Sequence, residues 1–327
     1  MKMKKLFALL LCAALLCPAM GLAEEDEDDD VQLAGSSYEH VRDAEDKLPE
    51  GVSPLPIDFS AGMPAQEDGF VEGGEWAYEY EDPSIHVTVY AGREAKCDYW
   101  VATIKIADAS QLRTESAGGF DSTSAIKGQA MARRTNAILA IDGDYFCYSG
   151  NGGNGYIIRQ GEVYNNKLVG NRDVLAIDSN GDFHVFYLPT DASEISLGMT
   201  DAQWRNVFYF GPVLVDNGEM VENVYGPNMA YDEPRQRMAI CQVGPLEYKC
   251  VCCASRARGS AGMTLQQFAD LVARQNVRIA YNLDGGDSTM MMFNGTKIND
   301  VRSTSVREIN DIIYFASAYT KKEAAAE

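Results

Sequence analysis

Histidine is scarce in this 327-residue chain: there are three, His40, His86 and His184, and none stands near Cys250-Val251-Cys252-Cys253. A structural zinc site wants regularly paired Cys and His ligands, so that cysteine group is not read as one. Cysteine is sparse as well. Of eight, Cys12 and Cys17 fall in the N-terminal apolar run, leaving Cys97, Cys147, Cys241, Cys250, Cys252 and Cys253. Six thiols in so long a chain make no dense disulfide framework; buried thiols, or one or two disulfides, are expected. Nowhere do basic and aromatic residues gather, and 48 acids outnumber 28 lysines and arginines, which argues against a nucleic-acid surface. Nor does the apolar run of residues 6–17 reach the length of a comfortable membrane span.

That run follows Lys2, Lys4 and Lys5 and leads to Gly21-Leu22-Ala23, the order of an export signal with small residues at its cleavage site. Residues 1–23 are read as a signal peptide. The mature protein is then expected to be secreted or extracytoplasmic, at the surface of a bacterium, with no stable membrane insertion. Neither Cys12 nor Cys17 follows a small residue, so a lipid-anchored cysteine is not expected. Losing three lysines takes the formal charge from −20 to −23. Much of that charge is local, because Glu24-Glu25-Asp26-Glu27-Asp28-Asp29-Asp30 is unbroken acid. With Pro49, Pro54, Pro56 and Pro64 following, residues 24–75 read as an acidic, Pro- and Gly-containing disordered arm or linker.

Residues 76–320, about 245 in all, suffice for one large domain, with 321–327 as a tail. Residues 85–90 and 99–106 alternate apolar and polar as half-buried strands do. Residues 109–114 read as a turn or short irregular link. A helix is expected over 125–135, capped by Thr123 or Ser124 and stopped by Asn136. Hairpins are expected at Gln160-Gly161, across 178–182, at Asp216-Asn217-Gly218, between 238–243 and 248–253, and at Asn294-Gly295. Thr264 with Gln267 forms a capping box for a second helix, whose Leu265, Phe268, Leu271 and Val272 share one face and which Asn276 stops. Few helices and many hairpins give the fold class: α+β, a largely antiparallel twisted sheet with a few packed helices in a single domain.

One device occurs twice. A helix ends in Asn, an apolar strand follows, and the strand runs into acid and glycine: Ala137-Ile138-Leu139-Ala140-Ile141 into Asp142-Gly143-Asp144, and Val277-Arg278-Ile279-Ala280-Tyr281 into Asn282-Leu283-Asp284-Gly285-Gly286-Asp287-Ser288-Thr289. Glycines there allow close backbone approach and leave N–H groups for an anion. Structural turns with an Asx cap use the same residues, and that reading stands beside the functional one. Two such turns together favour a shared rim of acids. Arg235, in Pro234-Arg235-Gln236-Arg237, is a candidate anion clamp because a guanidinium forks onto phosphate or carboxylate. Its alternative is a surface arginine at a strand start.

Taken together, several segments resemble the phosphodiester glycosidase family, that of the N-acetylglucosamine-1-phosphodiester α-N-acetylglucosaminidases. They are Ala140-Ile141-Asp142-Gly143-Asp144-Tyr145-Phe146, Phe210-Gly211-Pro212-Val213-Leu214-Val215, Glu233-Pro234-Arg235, Gly262-Met263-Thr264-Leu265, Tyr281-Asn282-Leu283-Asp284-Gly285-Gly286 and Arg307-Glu308-Ile309-Asn310-Asp311-Ile312-Ile313. The chain departs from the family pattern at Asp142, where Asn is usual, and at Asp287, where a neutral residue is usual; both departures add negative charge.

The resemblance implies cleavage of a sugar C1–O–P bond in a glycosyl phosphodiester or cell-surface glycan, such as an exopolysaccharide. It implies Asp284 as nucleophile or base, with Asp144 as the second carboxylate. Gly285, Gly286, Ser288 and Thr289 would offer donors to the phosphate and Arg235 countercharge, while Asn282, Asp142 and Gly143 would line the sugar. Arg307 is a second arginine candidate, or a brace for the last strand. No cofactor is required on this reading. A rival uses Asp142, Asp144, Asp284 and Asp287 as oxygen ligands for Ca²⁺ or Mg²⁺ and cleaves P–O instead. A third is non-catalytic, a glycan-binding surface built on Trp100, Tyr145, Phe146 and Tyr148.

Overall fold

The structure is a computed structural model that describes residues 35–37, 47–71, 74, 77–144, 155–168, 172–197, 203–222, 224, 230–254, 259–299 and 307–321. The expected signal peptide, residues 24–34 and 38–46 of the acidic arm, Cys147 and the aromatics Tyr145, Phe146 and Tyr148 lie outside them.

Among the described residues, alternating side chains and tight turns build three large antiparallel sheets and a two-stranded ladder. The largest has eight strands, in the order Glu219–Met220, Val213–Asp216, Ile279–Asn282, Arg237–Gly244, Glu247–Cys253, Cys97–Ile106, Ile85–Glu94 and Tyr78–Asp82. A five-stranded sheet runs Thr296–Lys297, Met291–Phe293, Ala137–Asp142, Asp311–Ala316 and Leu112–Ser116. A six-stranded sheet joins Gly35–Ser37, Phe183–Phe186, Val174–Asp178, Trp204–Phe208, Ile157–Arg159 and Glu162–Asn165.

The core follows from the period of two. Ile104 and Ile240 of the first sheet, Leu139, Ile141 and Ile313 of the second, and Leu175 and Phe208 of the third meet in one apolar cluster. The intervening residues face outward and are covered by helices. Phe268, Leu271 and Val272 of Leu265–Ala273 pack on Val215, Ala239 and Cys241, while Met131 and Ala132 of Gly128–Arg134 pack on Ala140, Ile312 and Tyr314. This is the expected α+β class. Among the described residues no helix is long and apolar enough to cross a membrane, and the five described cysteines are buried free thiols.

The capping box at Thr264 forms as read: Gln267 N–H donates to Thr264 Oγ1 (3.2 Å) and Thr264 N–H to Gln267 Oε1 (3.0 Å). Asn136 and Asn276 each end their helix in the left-handed region, at φ 54° and 55°. Elsewhere the structure departs from expectation. The first helix starts only at Gly128, with no side-chain cap, because Ile126–Lys127 is drawn into a ladder with Glu308–Ile309. Residues 109–114 are not an irregular link: a one-turn 3₁₀ helix, Ala109–Gln111, is capped by Asp108, and the strand Leu112–Ser116 follows. Residues 47–71, compositionally linker, are packed down. Val52 and Leu55 are buried, and bridges pair Val52 with Tyr319, Met63 with Ser317 and Phe70 with Tyr80. The wholly buried guanidinium of Arg113 donates to the carbonyls of Pro56, Asp58 and Ser60, so tertiary contacts hold what proline content suggested was loose.

Candidate active site

The two acid-glycine turns meet. Ala137–Asp142 lies between Met291–Phe293 and Asp311–Ala316, with Ile141 opposite Met291 and Asp142 opposite Ile312. Ile279–Asn282 belongs to the eight-stranded sheet, between Val213–Asp216 and Arg237–Gly244. Where the strands end, the N–H of Asp284 donates to the carbonyl of Gly143 at 3.3 Å. Asp142 is locked to the following segment, accepting Met290 N–H on Oδ1 at 2.8 Å while its own N–H reaches Met290 O at 3.2 Å. Gly143 is required here. A Cβ on it would stand 2.6 Å from both carboxylate oxygens of Asp311.

Four acids therefore crowd one spot. Asp144 Oδ2 accepts from Arg159 Nη2 and from Tyr209 N–H, both at 3.0 Å. The same Arg159 nitrogen lies 3.4 Å from Asp311 Oδ2. Arg159 is wholly buried, with its guanidinium carbon 4.1 Å from the centroid of the Phe208 ring. Burial pushes Asp311 up to about 7; the neighbouring Asp144 charge adds to the rise, and Arg159 and the Asp144 N–H oppose it. Burial also pushes Asp142 well above the usual carboxylate range, with Asp284 and Asp311 adding to it. Asp284 is raised by burial too, against the Ser288 hydroxyl, the Gly285 N–H and the charge of Arg307. Asp142 Oδ2, Asp144 Oδ1 and Asp311 Oδ1 are buried without a protein hydrogen-bond partner, so substrate, water or a proton is needed to satisfy them.

Asp284 stands at a boundary. On one side is a recess of about 10 Å³, room for about one water, walled by Asp142, Asp144, Asp311, Ser288 and Arg307. On the other is a cleft of about 530 Å³ lined by Arg172, Phe210, Arg235, Arg237, Asn282, Gly285 and Gly286. Asp284 is the residue common to both walls. Asn282 is buried, donates through Nδ2 to Gly211 O at 2.7 Å, and keeps Oδ1 without a partner.

Of the residues read from sequence, Asp142, Gly143, Asp144, Asp284 and Ser288 gather at the recess, and Asn282, Gly285, Gly286 and Arg235 at the cleft. Thr289, wholly buried, and Asp287, exposed, line neither. No group of three His, Cys, Asp or Glu among the described residues is arranged to hold a metal ion, and Asp287 stands apart from Asp142, Asp144 and Asp284. Trp100 also lies on neither wall, and faces Cys252 and Ala91 across its strand neighbours. The N–H groups expected to cradle an anion are engaged within the fold. Gly285 donates to Asp284 Oδ1 (2.8 Å), Gly286 to Gln236 O (3.0 Å), Ser288 to Gly285 O (3.3 Å) and Thr289 to Gly286 O (3.2 Å), because the turn closes into a short 3₁₀ helix. Arg235 too is engaged, with Nε and Nη2 on Glu233 Oε2 at 3.1 and 2.5 Å.

Sequence reading missed Arg159, Asp311, Arg172 and Arg237. Asp311 did leave a signal, an acid opening the otherwise apolar strand Asp311–Ala316. Arg159 left none, since it looks like the outer end of an ordinary hairpin strand.

Comparison with known proteins bears on the family and the fold. The sequence model of the phosphodiester glycosidase family matches residues 135–316. The fold is similar to the zebrafish N-acetylglucosamine-1-phosphodiester α-N-acetylglucosaminidase catalytic domain auto-inhibited by its pro-peptide, with a TM-score of 0.57 at 18% identity over 72% of this chain and 85% of that one. A hypothetical protein from Synechocystis is similar with a TM-score of 0.50 at 16% identity, over 71% of this chain and 62% of that one. Among curated protein sequences none matches significantly.

Proposed function

Because the chain belongs to the phosphodiester glycosidase family, we propose that it hydrolyses the bond between sugar C1 and the oxygen of a phosphodiester, releasing a free sugar and a phosphomonoester. The observation that carries this reading is the place of Asp284, between a water-sized acidic recess and an arginine-lined cleft. A sugar phosphate fits the cleft, with its phosphoryl group among the arginines and its C1 toward Asp284. A phosphomonoester, whose second pKa is about 6, leaves without strong acid assistance. The reaction therefore asks mainly for an electron pair at C1 and for countercharge on the leaving oxygens.

Asp284 supplies the electron pair, directly to C1 or through a water it deprotonates; the anomer first formed tells the two apart. Asp144, fixed by Arg159 and the Tyr209 N–H, is the second carboxylate beside the reacting centre. Asp311 and Asp142, pushed up by burial, carry protons more readily than ordinary carboxyls and so limit repulsion in the cluster. Asn282 Oδ1 accepts from a sugar hydroxyl. The same proposal places the mature protein outside the cytoplasm, on the strength of residues 1–23.

Turnover of a glycosyl phosphodiester in ¹⁸O-labelled water is the test. The proposal expects the label in the sugar. Label in the phosphate would mean P–O cleavage and would overturn it.

A further inference from the structure

Resting on that reading and deepening it, we propose that Arg172 is the residue that grips the phosphoryl group of the substrate. Three observations lead there. The first is the engagement of the N–H groups of the Asp284 turn within the fold, described above, which removes the expected phosphate cradle.

The second concerns the other arginines at the site. Arg235 is forked onto Glu233, Arg237 spends its donors on the carbonyls of Ala230, Glu233 and Met263, and Arg159 is bound to Asp144 and Asp311. Arg172 differs. Among the described residues its contacts are one N–H directed at Phe210 O (3.4 Å) and a position 5.6 Å above the Phe210 ring centroid, with no ion pair to any described acid. In a chain with 48 acids and 28 bases, a cleft arginine stacked on an aromatic ring keeps most of its five N–H donors for a ligand.

The third is rigidity. Asp173, the next residue, is buried and accepts Val213 N–H on Oδ2 (3.0 Å) and Leu188 N–H on Oδ1 (3.2 Å). Its carbonyl takes the Tyr281 hydroxyl (2.7 Å), which in turn accepts Phe210 N–H (2.9 Å). The backbone that carries Arg172 is thus bolted to the loop that carries Phe210 and to the strand that leads to Asp284. A planar fork held this way suits the paired oxygens of a phosphate.

The test is calorimetric titration of the full chain with inorganic phosphate and with dimethyl phosphate, alongside turnover of a glycosyl phosphodiester. Arg172→Gln is expected to weaken binding of both anions about 10- to 100-fold, the range of one or two charge-assisted hydrogen bonds. Its kcat/KM should fall by a similar factor, and Arg172→Lys should lie between. Lys105→Gln, which removes a charge paired with Glu247 away from the cleft, should bind both anions as the wild type does. Unchanged denaturation midpoints in the variants confirm that the fold is kept. Anion binding that survives Arg172→Gln, that is lost instead in Arg235→Gln, or that the wild type lacks would overturn the assignment. Arginine-dependent anion binding without any turnover would leave Arg172 in place and remove the glycosidase reading; turnover that ignores Arg172 would do the reverse.

Discussion

Replacing Arg159 by methionine removes the cation that bridges Asp144 and Asp311, at a point where all three groups are buried. Deleting one partner of a buried ion pair costs about 3–5 kcal/mol, because the remaining charge is stranded. Methionine keeps an apolar, polarizable contact with the Phe208 ring, so the loss reports charge more than packing. Two carboxylates are left without their cation, and the cost is therefore pH-dependent. Asp311 already stands at about 7 with the arginine present, chiefly through burial; without it the folded-state value rises further, while the unfolded chain titrates near ~4. A carboxyl raised in the folded state costs stability that grows as pH climbs from the unfolded value through the folded one. Urea unfolding at pH 5 and pH 8 is the assay. The expected loss is about 3–5 kcal/mol at pH 8 and clearly smaller at pH 5. Adding Asp311→Asn should recover part of the pH 8 loss. A loss below about 1 kcal/mol at pH 8, or one equal at both pH values, would refute the reasoning.

Gly143→Ala places a methyl 2.6 Å from both Asp311 oxygens and should cost about 1–3 kcal/mol in urea unfolding as that carboxylate is pushed off Arg159. Because burial raises Asp284, and the reaction needs its ionised form, kcat/KM should rise with pH through an acid limb lying above the ordinary carboxylate value of about 4; a pH–rate profile with its limb at or below that value would contradict the assignment. Thr264→Ala deletes the capping box and should cost about 1 kcal/mol, read from the denaturation midpoint.

Much of the scaffold was legible because its information is local. Gln160-Gly161, Asn217-Gly218 and Asn294-Gly295 do turn their hairpins, with every one of these residues at positive φ. Thr264 and Gln267 lie three apart and cap without outside help. The site was legible as far as its repeated strand-Asp-Gly pattern reached, and Asp142, Asp144 and Asp284 do come together. What escaped depends on partners far along the chain. Ile126–Lys127 is extended because Glu308–Ile309 lies beside it, and residues 56–60 are ordered by the guanidinium of Arg113. Arg159 matters through two acids, one 15 and the other 152 positions away. Whether a turn's N–H groups are free is likewise decided by distant backbone: Gly286 gives its hydrogen to the carbonyl of Gln236, just before the strand Arg237–Gly244.

The most direct measurement compares kcat/KM on a glycosyl phosphodiester for Asp284→Asn and for Asp287→Asn, neighbours in sequence that differ in place, one between the two recesses and the other exposed. The account predicts a loss of about 10³-fold or more for Asp284→Asn and a value near wild type for Asp287→Asn. Equal losses, or an active Asp284→Asn enzyme, would contradict it.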